Sequence, residues 1–268
     1  MTNIFDLAEQ CLHRADISEK LALTHAAWQL LQSNALDFTD NQRVLSIELT
    51  RFPQKPLLLA PKLMPKRKLS SQRGKIAFFH AIAHVEFMAI YLAWDMLYRF
   101  RGLPEAFYRD WLRVADEEAQ HFELLQAHLA TMNACYGDLP AHLGLWDNAQ
   151  DTAHDVLARL ALVPRCLEAR GLDVSPALIE KFAQLNDAPS VAALQRILHD
   201  EVGHVERGSF WFNFICQQRG IEPQTTYQEL ILNYFHGTKP KGPFNREMRI
   251  IAGFTPAELD WLDSESYE

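Results

Sequence analysis

The chain has 268 residues, 48% of them hydrophobic, and carries a formal net charge of −8 at pH 7. That length and apolar content suit one large domain or two small ones with a substantial core. The net negative charge excludes bulk electrostatic attraction as a way for the whole protein to bind polyanions.

Cysteine usage and hydropathy predict the compartment. The four cysteines are widely spaced and form no Cys-x-x-Cys pair, which favours reduced thiols in a cytoplasmic protein. The first residues lack a basic start followed by an apolar run, so we expect no signal peptide. No uninterrupted apolar stretch approaches about 18 residues, so we expect no membrane span.

The first 70 residues predict helices followed by an extended segment. Residues 3–35 have the pattern of one or two amphipathic helices, broken near Asp16-Ile17-Ser18. Residues 50–70, hereafter the strap, contain four prolines and end in Lys66-Arg67-Lys68. Prolines at this density disfavour both a helix and a central strand. We expect the strap to pack on the protein through its apolar side chains, which are Leu57, Leu58, Leu59, Leu63 and Met64.

Two stripes of apolar residues at three- and four-residue spacing predict a helical hairpin. Glu86 stands alone among apolar residues in the first stripe, and Glu118 and His121 are the polar members of the second. Gly102 lies 16 residues from each glutamate. A turn at this glycine would fold an antiparallel pair of helices with both carboxylates at the same level.

A second hairpin is predicted by a similar but less regular pattern. Glu201 and His204 are the polar members of a long apolar stripe, and Glu168 ends a shorter stripe 33 residues upstream of Glu201. Pro164 lies inside the shorter stripe, and Gly171 and Pro176 interrupt it just after Glu168. This helix is the least regular of the four, and Glu168 rests on the weakest pattern.

The motif Glu-x-x-His occurs twice, each time in the middle of an apolar stripe. A carboxylate and an imidazole three residues apart share one helix face, and unpaired charges on a buried face cost several kcal/mol. A bound cation removes that cost. Two such motifs and two further glutamates are the ligand set of a dinuclear metal site in a four-helix bundle. The alternative is a bundle that lost its metal and kept these acids as buried hydrogen-bonded pairs. The predicted ligands are Glu86, Glu118, His121, Glu168, Glu201 and His204.

The predicted fold is all-α. A ferritin-like four-helix bundle occupies residues 71–218, with a long crossover between its two hairpins from 121 to 168. Residues 1–70 are expected to pack on this bundle, and residues 219–268 to form a C-terminal helical extension. The extension contains a basic loop with Lys239 and Lys241.

Residues next to the motifs are candidates for supporting roles. Glu117 and Asp200 each precede a motif glutamate, and metal-bound imidazoles usually donate their second N–H to an outer carboxylate; the alternative is that both are surface acids. His84 lies about 200° around the helix from Glu86, which favours a packed or outer-layer role. Phe244 and Asn245 in the basic loop are a candidate lid over Glu86 and Glu118, or alternatively a surface turn.

Several longer stretches resemble a known family. They include His-Ala-Ile-Ala-His-Val-Glu86, Asp-Glu-Glu-Ala-Gln-His121, Tyr-Gly-Asp138-Leu-Pro, Glu168-Ala-Arg-Gly-Leu-Asp173, Asp-Glu-Val-Gly-His204 and Pro-Phe-Asn245. They are similar to the bacterial ferritin-like proteins of the domain-of-unknown-function 455 family, over most of the chain. The resemblance implies a ferritin-like fold with elaborations and a more distant kinship with di-iron oxidases and a tRNA-modifying hydroxylase.

The functional hypothesis is an oxidoreductase with two metal ions. Mixed carboxylate and imidazole ligands suit iron first, with manganese or zinc as alternatives. Such a centre would activate O₂ to oxidise or hydroxylate a small molecule, with electrons from an external donor, since no glycine-rich nucleotide motif is visible. The alternatives are a nucleic-acid-modifying hydroxylase, a ferroxidase or peroxide scavenger, and a non-catalytic binding protein. A homodimer is also considered.

Overall fold

The computed structural model describes residues 1–40, 44 and 51–264. Helices dominate these residues, and the strands among them are two-residue segments, so the all-α prediction is confirmed. The chain divides into two compact units, residues 1–149 and 150–268. The division falls inside the segment 71–218 that the sequence assigns to one bundle, and that assignment stays a prediction.

Two helices begin the first unit, as the sequence predicts for residues 3–35. Helix α1 (Ile4–His13) begins after Asn3, whose side chain accepts hydrogen bonds from the first turn. Helix α2 (Ile17–Gln32) begins after Asp16, whose carboxylate accepts from the backbone N–H of Glu19. The predicted break is therefore confirmed, with Asp16 as the capping residue. The short strands β1 (Thr2–Asn3) and β2 (Leu36–Asp37) pair in parallel.

The first predicted hairpin is present in this unit. Helix α3 (Gln72–Arg99) and helix α4 (Glu105–Thr131) pack on each other, and Gly102 lies in the turn with φ of +70°, where glycine is favoured. By length and composition alone α3 could cross a membrane, but 78% of its most apolar window is buried in the structure. That burial is typical of the core helix of a soluble protein.

The described part of the strap, residues 51–70, is extended apart from one turn of 3₁₀ helix at Pro61–Leu63. Leu58 forms an isolated parallel bridge with Ala141. Leu57 and Leu63 are 64% and 57% exposed, so the expectation that the strap packs through its apolar side chains is wrong for these two residues. Leu58, Leu59 and Met64 are partly buried, so part of the apolar surface of the strap packs on the protein.

The second unit contains a hairpin with one irregular arm. Helix α5 (Gly144–Asp151) crosses the boundary between the units. Helix α6 (Val156–Leu162) continues into a π-helical segment (Val163–Glu168) and then into helix α7 (Ala169–Gln184). Helix α8 (Ala188–Arg219) forms the other arm. Gly171 and Pro176 lie inside α7, so the predicted interruption there is wrong. The irregularity is instead at Pro164, which has no N–H to continue the α-helical pattern.

Three short helices end the second unit. They are α9 (Pro223–Tyr234), α10 (Arg246–Ile251) and α11 (Pro256–Asp263). All three helices lie in residues 219–268, which the sequence assigns to a C-terminal helical extension. Asn245 caps α10 by accepting a hydrogen bond from the backbone N–H of Met248.

Candidate metal centre

Three of the predicted ligands come together in the first unit. Helix α3 supplies Glu86, and α4 supplies Glu118 and His121. The Nδ1 atom of His121 lies 3.4 Å from Oε2 of Glu86 and 3.5 Å from Oε2 of Glu118. One ligand atom from each of the three side chains lies within 4.8 Å of the others. The hairpin therefore places two carboxylates and one imidazole nitrogen at a common point.

The side chains of this cluster are buried in the core. The side chains of Glu118 and His121 are each 1% exposed, and that of Glu86 is 6% exposed. The rings of Phe87 and Phe122, each next to a ligand in sequence, pack with centroids 4.9 Å apart. The carboxylates of Glu86 and Glu118 have oxygens within 4.8 Å of each other. In a buried site two charged carboxylates repel each other, and each pays the free-energy cost of leaving water. A cation between them removes both penalties, so the donor set fits a metal ion.

The second motif has the same local geometry in the second unit. On α8 the Nδ1 atom of His204 lies 3.5 Å from Oε1 of Glu201, the same separation as in the first motif. His204 is fully buried, whereas 12% of the Glu201 side chain is exposed. Glu168 is the last residue of the π-helical segment and is partly exposed. The second unit thus presents one fully buried imidazole and two glutamates that are less buried than those of the first unit.

The acids that precede the motifs form ion pairs on their own helices. Glu117 lies 2.8 Å from Nε of Arg113, and Asp200 lies 3.0 Å from Nη2 of Arg196. Both pairs have the i, i+4 spacing, and both arginines are 52% exposed. The predicted role of Glu117 and Asp200 as acceptors for the metal-bound imidazoles stays a prediction.

Both ring nitrogens of His84 are engaged in hydrogen bonds. Nδ1 lies 2.9 Å from the hydroxyl of Tyr136, and Nε2 lies 2.9 Å from the backbone carbonyl of His142. Burial lowers the pKa of His84 to about 4. Both ring nitrogens therefore have partners other than the metal-ligand cluster, and the predicted packed or outer-layer role of His84 stays a prediction.

The candidate lid residues pack within the second unit. The backbone N–H of Asn245 donates to Oδ1 of Asp173 on α7. The ring of Phe244 lies 5.0 Å from the guanidinium of Arg249 and is partly buried. The loop is therefore held against α7, and it does not project freely into solvent. Its predicted position over Glu86 and Glu118 stays a prediction.

Two buried ion pairs in the second unit were missed by the sequence analysis. Arg249 binds Asp173 through two hydrogen bonds of 2.8 Å, and Arg165 donates to Glu258 at 2.7 Å. All four side chains are at most 3% exposed. Asp173 belongs to the stretch Glu168-Ala-Arg-Gly-Leu-Asp173 that carries the family resemblance, and this conspicuous acid five residues after a predicted ligand was the available signal.

Lys239 in the basic C-terminal loop and Arg246 at the start of α10 bind groups of the same unit. Lys239 donates to the carbonyl of Trp261 at 2.8 Å and also to Ser264. Arg246 pairs with Asp260 and Asp263 at 2.7 and 2.6 Å. These contacts engage the ammonium of Lys239 and the guanidinium of Arg246 inside the unit, and the nucleic-acid-modifying alternative stays a prediction.

Comparison with known proteins gives a family and a relative. The family described as "Protein of unknown function (DUF455)" matches residues 13–260. An uncharacterized protein of Haemophilus influenzae is 43% identical over 272 residues, which cover 98% of this chain and 94% of that protein. No solved structure matches the chain. The family match includes both Glu-x-x-His motifs and the strap.

Proposed function

The chain belongs to the DUF455 family, and we propose that it is a metal-dependent oxidoreductase with a dinuclear, ferritin-like centre. Glu86, Glu118 and His121 would hold one half of this centre, and the other half would come from the second unit. The proposed second half is Glu168, Glu201 and His204. The observation that carries the proposal is the buried cluster of two carboxylates and an imidazole on α3 and α4.

The charge of the donor set supports two divalent cations. Four glutamates contribute four negative charges, which two divalent ions neutralise, and the two histidines can bind as neutral imidazoles. Because a buried charge is tolerated only when it is balanced, a set of this composition is better suited to two ions than to one. Mixed oxygen and nitrogen ligands favour iron, with manganese or zinc as alternatives.

The protein residues would hold the ions and keep water out. His121 and His204 direct Nδ1 toward a carboxylate of their own motif, which leaves Nε2 of each ring to donate a hydrogen bond outward. Phe87 and Phe122, each next to a ligand in sequence, pack on each other, and a site closed to water would strengthen the electrostatic interactions within it. When bound, a pair of iron ions would pass electrons to O₂ from the external donor and from the substrate, so that O₂ is reduced and the substrate is oxidised.

The proposed substrate is a small molecule, and the proposed electron donor is a separate protein or reductant. Modification of nucleic acid is less favoured, because Lys239 and Arg246 are bound within the C-terminal region. A ferroxidase would need the same metal ligands but no organic substrate, so only turnover can separate the two activities. We propose a cytoplasmic location, consistent with four unpaired cysteines.

The test is turnover by the iron-loaded protein in ¹⁸O₂. The chemically reduced protein is mixed with a small-molecule cell extract, and the products are analysed by mass spectrometry. We expect ¹⁸O to enter, or two hydrogens to leave, a small organic molecule, and Glu118→Ala to abolish this change. Glu105→Ala removes an exposed acid from the same helix and is the matched control. Continued turnover of added Fe²⁺ and O₂ with no organic product would favour the ferroxidase instead.

A further inference from the structure

The strap and the start of α3 form the most basic part of the sequence. Residues 51–75 contain eight lysines and arginines and no aspartate or glutamate. The rest of the chain has 18 basic residues against 34 acidic residues, so this segment is opposite in sign to the remainder. Among the described residues Arg67 makes no ion pair. A positive segment in an acidic protein indicates attraction of an anion to this place.

A cavity of about 120 Å³ lies beside this segment, entirely within the first unit. The strap supplies one wall and α3 a second. The third wall comes from the loop 132–143, between α4 and α5, and from the start of α5. Apolar side chains make up most of the lining, including Val85 and Leu139. The polar lining consists of Arg67 and three histidines, His80, His84 and His142. The cavity lies on the side of α3 that carries His80 and His84, about 200° around the helix from Glu86.

The walls of the cavity are fixed by hydrogen bonds. The backbone N–H of Leu59 donates to the carbonyl of Ala141 at 2.8 Å, and the N–H of Ala141 donates to the carbonyl of Leu57 at 3.0 Å. Gly137 has φ of +104°, and its N–H donates to Nε2 of His80 at 2.9 Å. These bonds tie the strap and the loop to each other and the loop to α3, so the cavity is preformed, as is usual for small-molecule sites.

Hydrogen bonds also fix the protons of the three histidines. Nε2 of His84 faces a carbonyl and must donate, so its Nδ1 accepts from the hydroxyl of Tyr136. Nε2 of His80 accepts from Gly137, and burial lowers the pKa of His80 to about 4. Both rings are therefore neutral walls. Nδ1 of His142 accepts from the N–H of Gly144, which leaves its Nε2–H as a donor.

We propose that this cavity binds a small organic anion with a compact apolar body and one carboxylate. The apolar body would occupy the space between α3 and the loop, and the carboxylate would lie toward Arg67 and the Nε2–H of His142. Cavities of about 150 Å³ accept benzene, so a single ring or a short aliphatic chain is the size that fits. The guanidinium of arginine matches a carboxylate in shape and charge. The site goes beyond the proposed metal chemistry and does not depend on it.

Nuclear magnetic resonance of the full chain with labelled histidines tests the proposal, with benzoate as the probe. We expect saturable shifts of the ring signals of His80, His84 and His142, assigned by removing each side chain in turn. Benzyl alcohol has the same ring without the charge and is expected to bind about tenfold more weakly, because it cannot form the charge-assisted hydrogen bond; tenfold corresponds to about 1.4 kcal/mol. No metal is needed, so the result is independent of the proposed oxidoreductase activity.

Three variants make the test specific. Arg67→Gln should weaken benzoate binding about tenfold, for the same charge-assisted reason. Lys68→Gln removes a neighbouring exposed charge that does not line the cavity, and affinity should stay within about twofold. Val85→Trp adds bulk at a half-exposed lining position and should abolish binding while circular dichroism remains unchanged.

The proposal is overturned if benzoate, hexanoate and inorganic phosphate all fail to shift the three histidine signals in a saturable way. Phosphate bound as tightly as benzoate would also contradict it, because an apolar body would then contribute nothing. Binding of an RNA oligonucleotide is measured in addition to binding of the small molecules. If RNA binds, loses affinity equally in Arg67→Gln and Lys68→Gln, and is unaffected by Val85→Trp, the basic segment is a polyanion surface and the cavity proposal is wrong.

Discussion

The two Glu-x-x-His hairpins share one local geometry but differ in the helices that carry it. In each motif the imidazole Nδ1 lies 3.5 Å from the glutamate of the same motif. The first hairpin consists of two continuous helices of 28 and 27 residues, and its three predicted ligands are buried. In the second, one arm is broken by a π-helical segment, and both glutamates are partly exposed.

Because of this difference, we expect the ligands in the two halves of the proposed centre to differ in their freedom to move. A ligand on a continuous, buried helix has little freedom, whereas Glu168 ends a π-helical segment, and such segments occur frequently at functional sites. The first half is therefore expected to bind metal tightly, and the second to adjust when metal or substrate binds. The following predictions test the two halves separately.

Asp173→Asn is expected to have the largest effect, and only on the second half. The change leaves the buried guanidinium of Arg249 without a counter-charge, and breaking a buried pair costs about 3–5 kcal/mol. We expect the second unit to unfold at lower temperature in calorimetry. Asp260→Asn breaks an exposed pair with Arg246 and should cost less than about 1 kcal/mol. Equal effects of the two changes would show that the buried pair has no special role.

Glu118→Ala tests the first half. Loss of a ligand should lower metal affinity at least about 100-fold, beyond the 10–100-fold typical of outer residues. The metal-free variant should be as stable as the metal-free parent or more so, because the change removes a charge from a crowded, buried cluster. Isothermal titration with metal and thermal unfolding measure the two quantities. A strongly destabilised metal-free variant would identify Glu118 as a structural residue.

The regular helices of the hairpins could be predicted from the sequence, whereas the irregular arm of the second hairpin could not. Long stripes with one polar position each identify α3, α4 and α8, and Gly102 places the first turn. The sequence shows Pro164 inside the stripe. A proline alone does not distinguish a break in the helix from a π-helical segment through which the helix continues to Glu168. The buried Arg165 and Arg249 were missed for another reason. Hydrophobic patterns assign charged residues to the surface, and the acids that neutralise them are distant in sequence.

Gly208→Ala addresses the π-helical segment directly. A Cβ atom at Gly208 would lie 2.5 Å from Cβ of Pro164, so α8 and the segment could not keep their present approach. We expect a loss of about 1–3 kcal/mol, as for other overpacked sites. At Gly203, also on α8, an added Cβ meets only the mobile end of Arg207, so Gly203→Ala is the control. Chemical denaturation distinguishes them, and equal stability of the two variants would contradict the close approach.

The smallest expected effect concerns pH and the outer layer of the first unit. A hydrogen bond from His25 on α2 to Asp116 on α4, 2.6 Å long, raises the pKa of His25. Its stabilisation is complete below about pH 6.5, the unfolded value, and is lost as pH rises through the higher folded value. Because His25 is partly exposed, we expect less than about 1 kcal/mol. Stability relative to His25→Gln should fall between these two pKa values, and a rise would contradict this account.

The number of metal ions per chain tests the central claim most directly. Protein purified from metal-replete cells, or loaded with Fe²⁺ without oxygen, is analysed for metals by mass spectrometry, and anomalous diffraction locates the ions. We predict two ions per chain, iron first, bound by residues of both hairpins. A count of zero in the purified protein, with no uptake on loading, would contradict the dinuclear centre and identify the buried glutamates and histidines as structural.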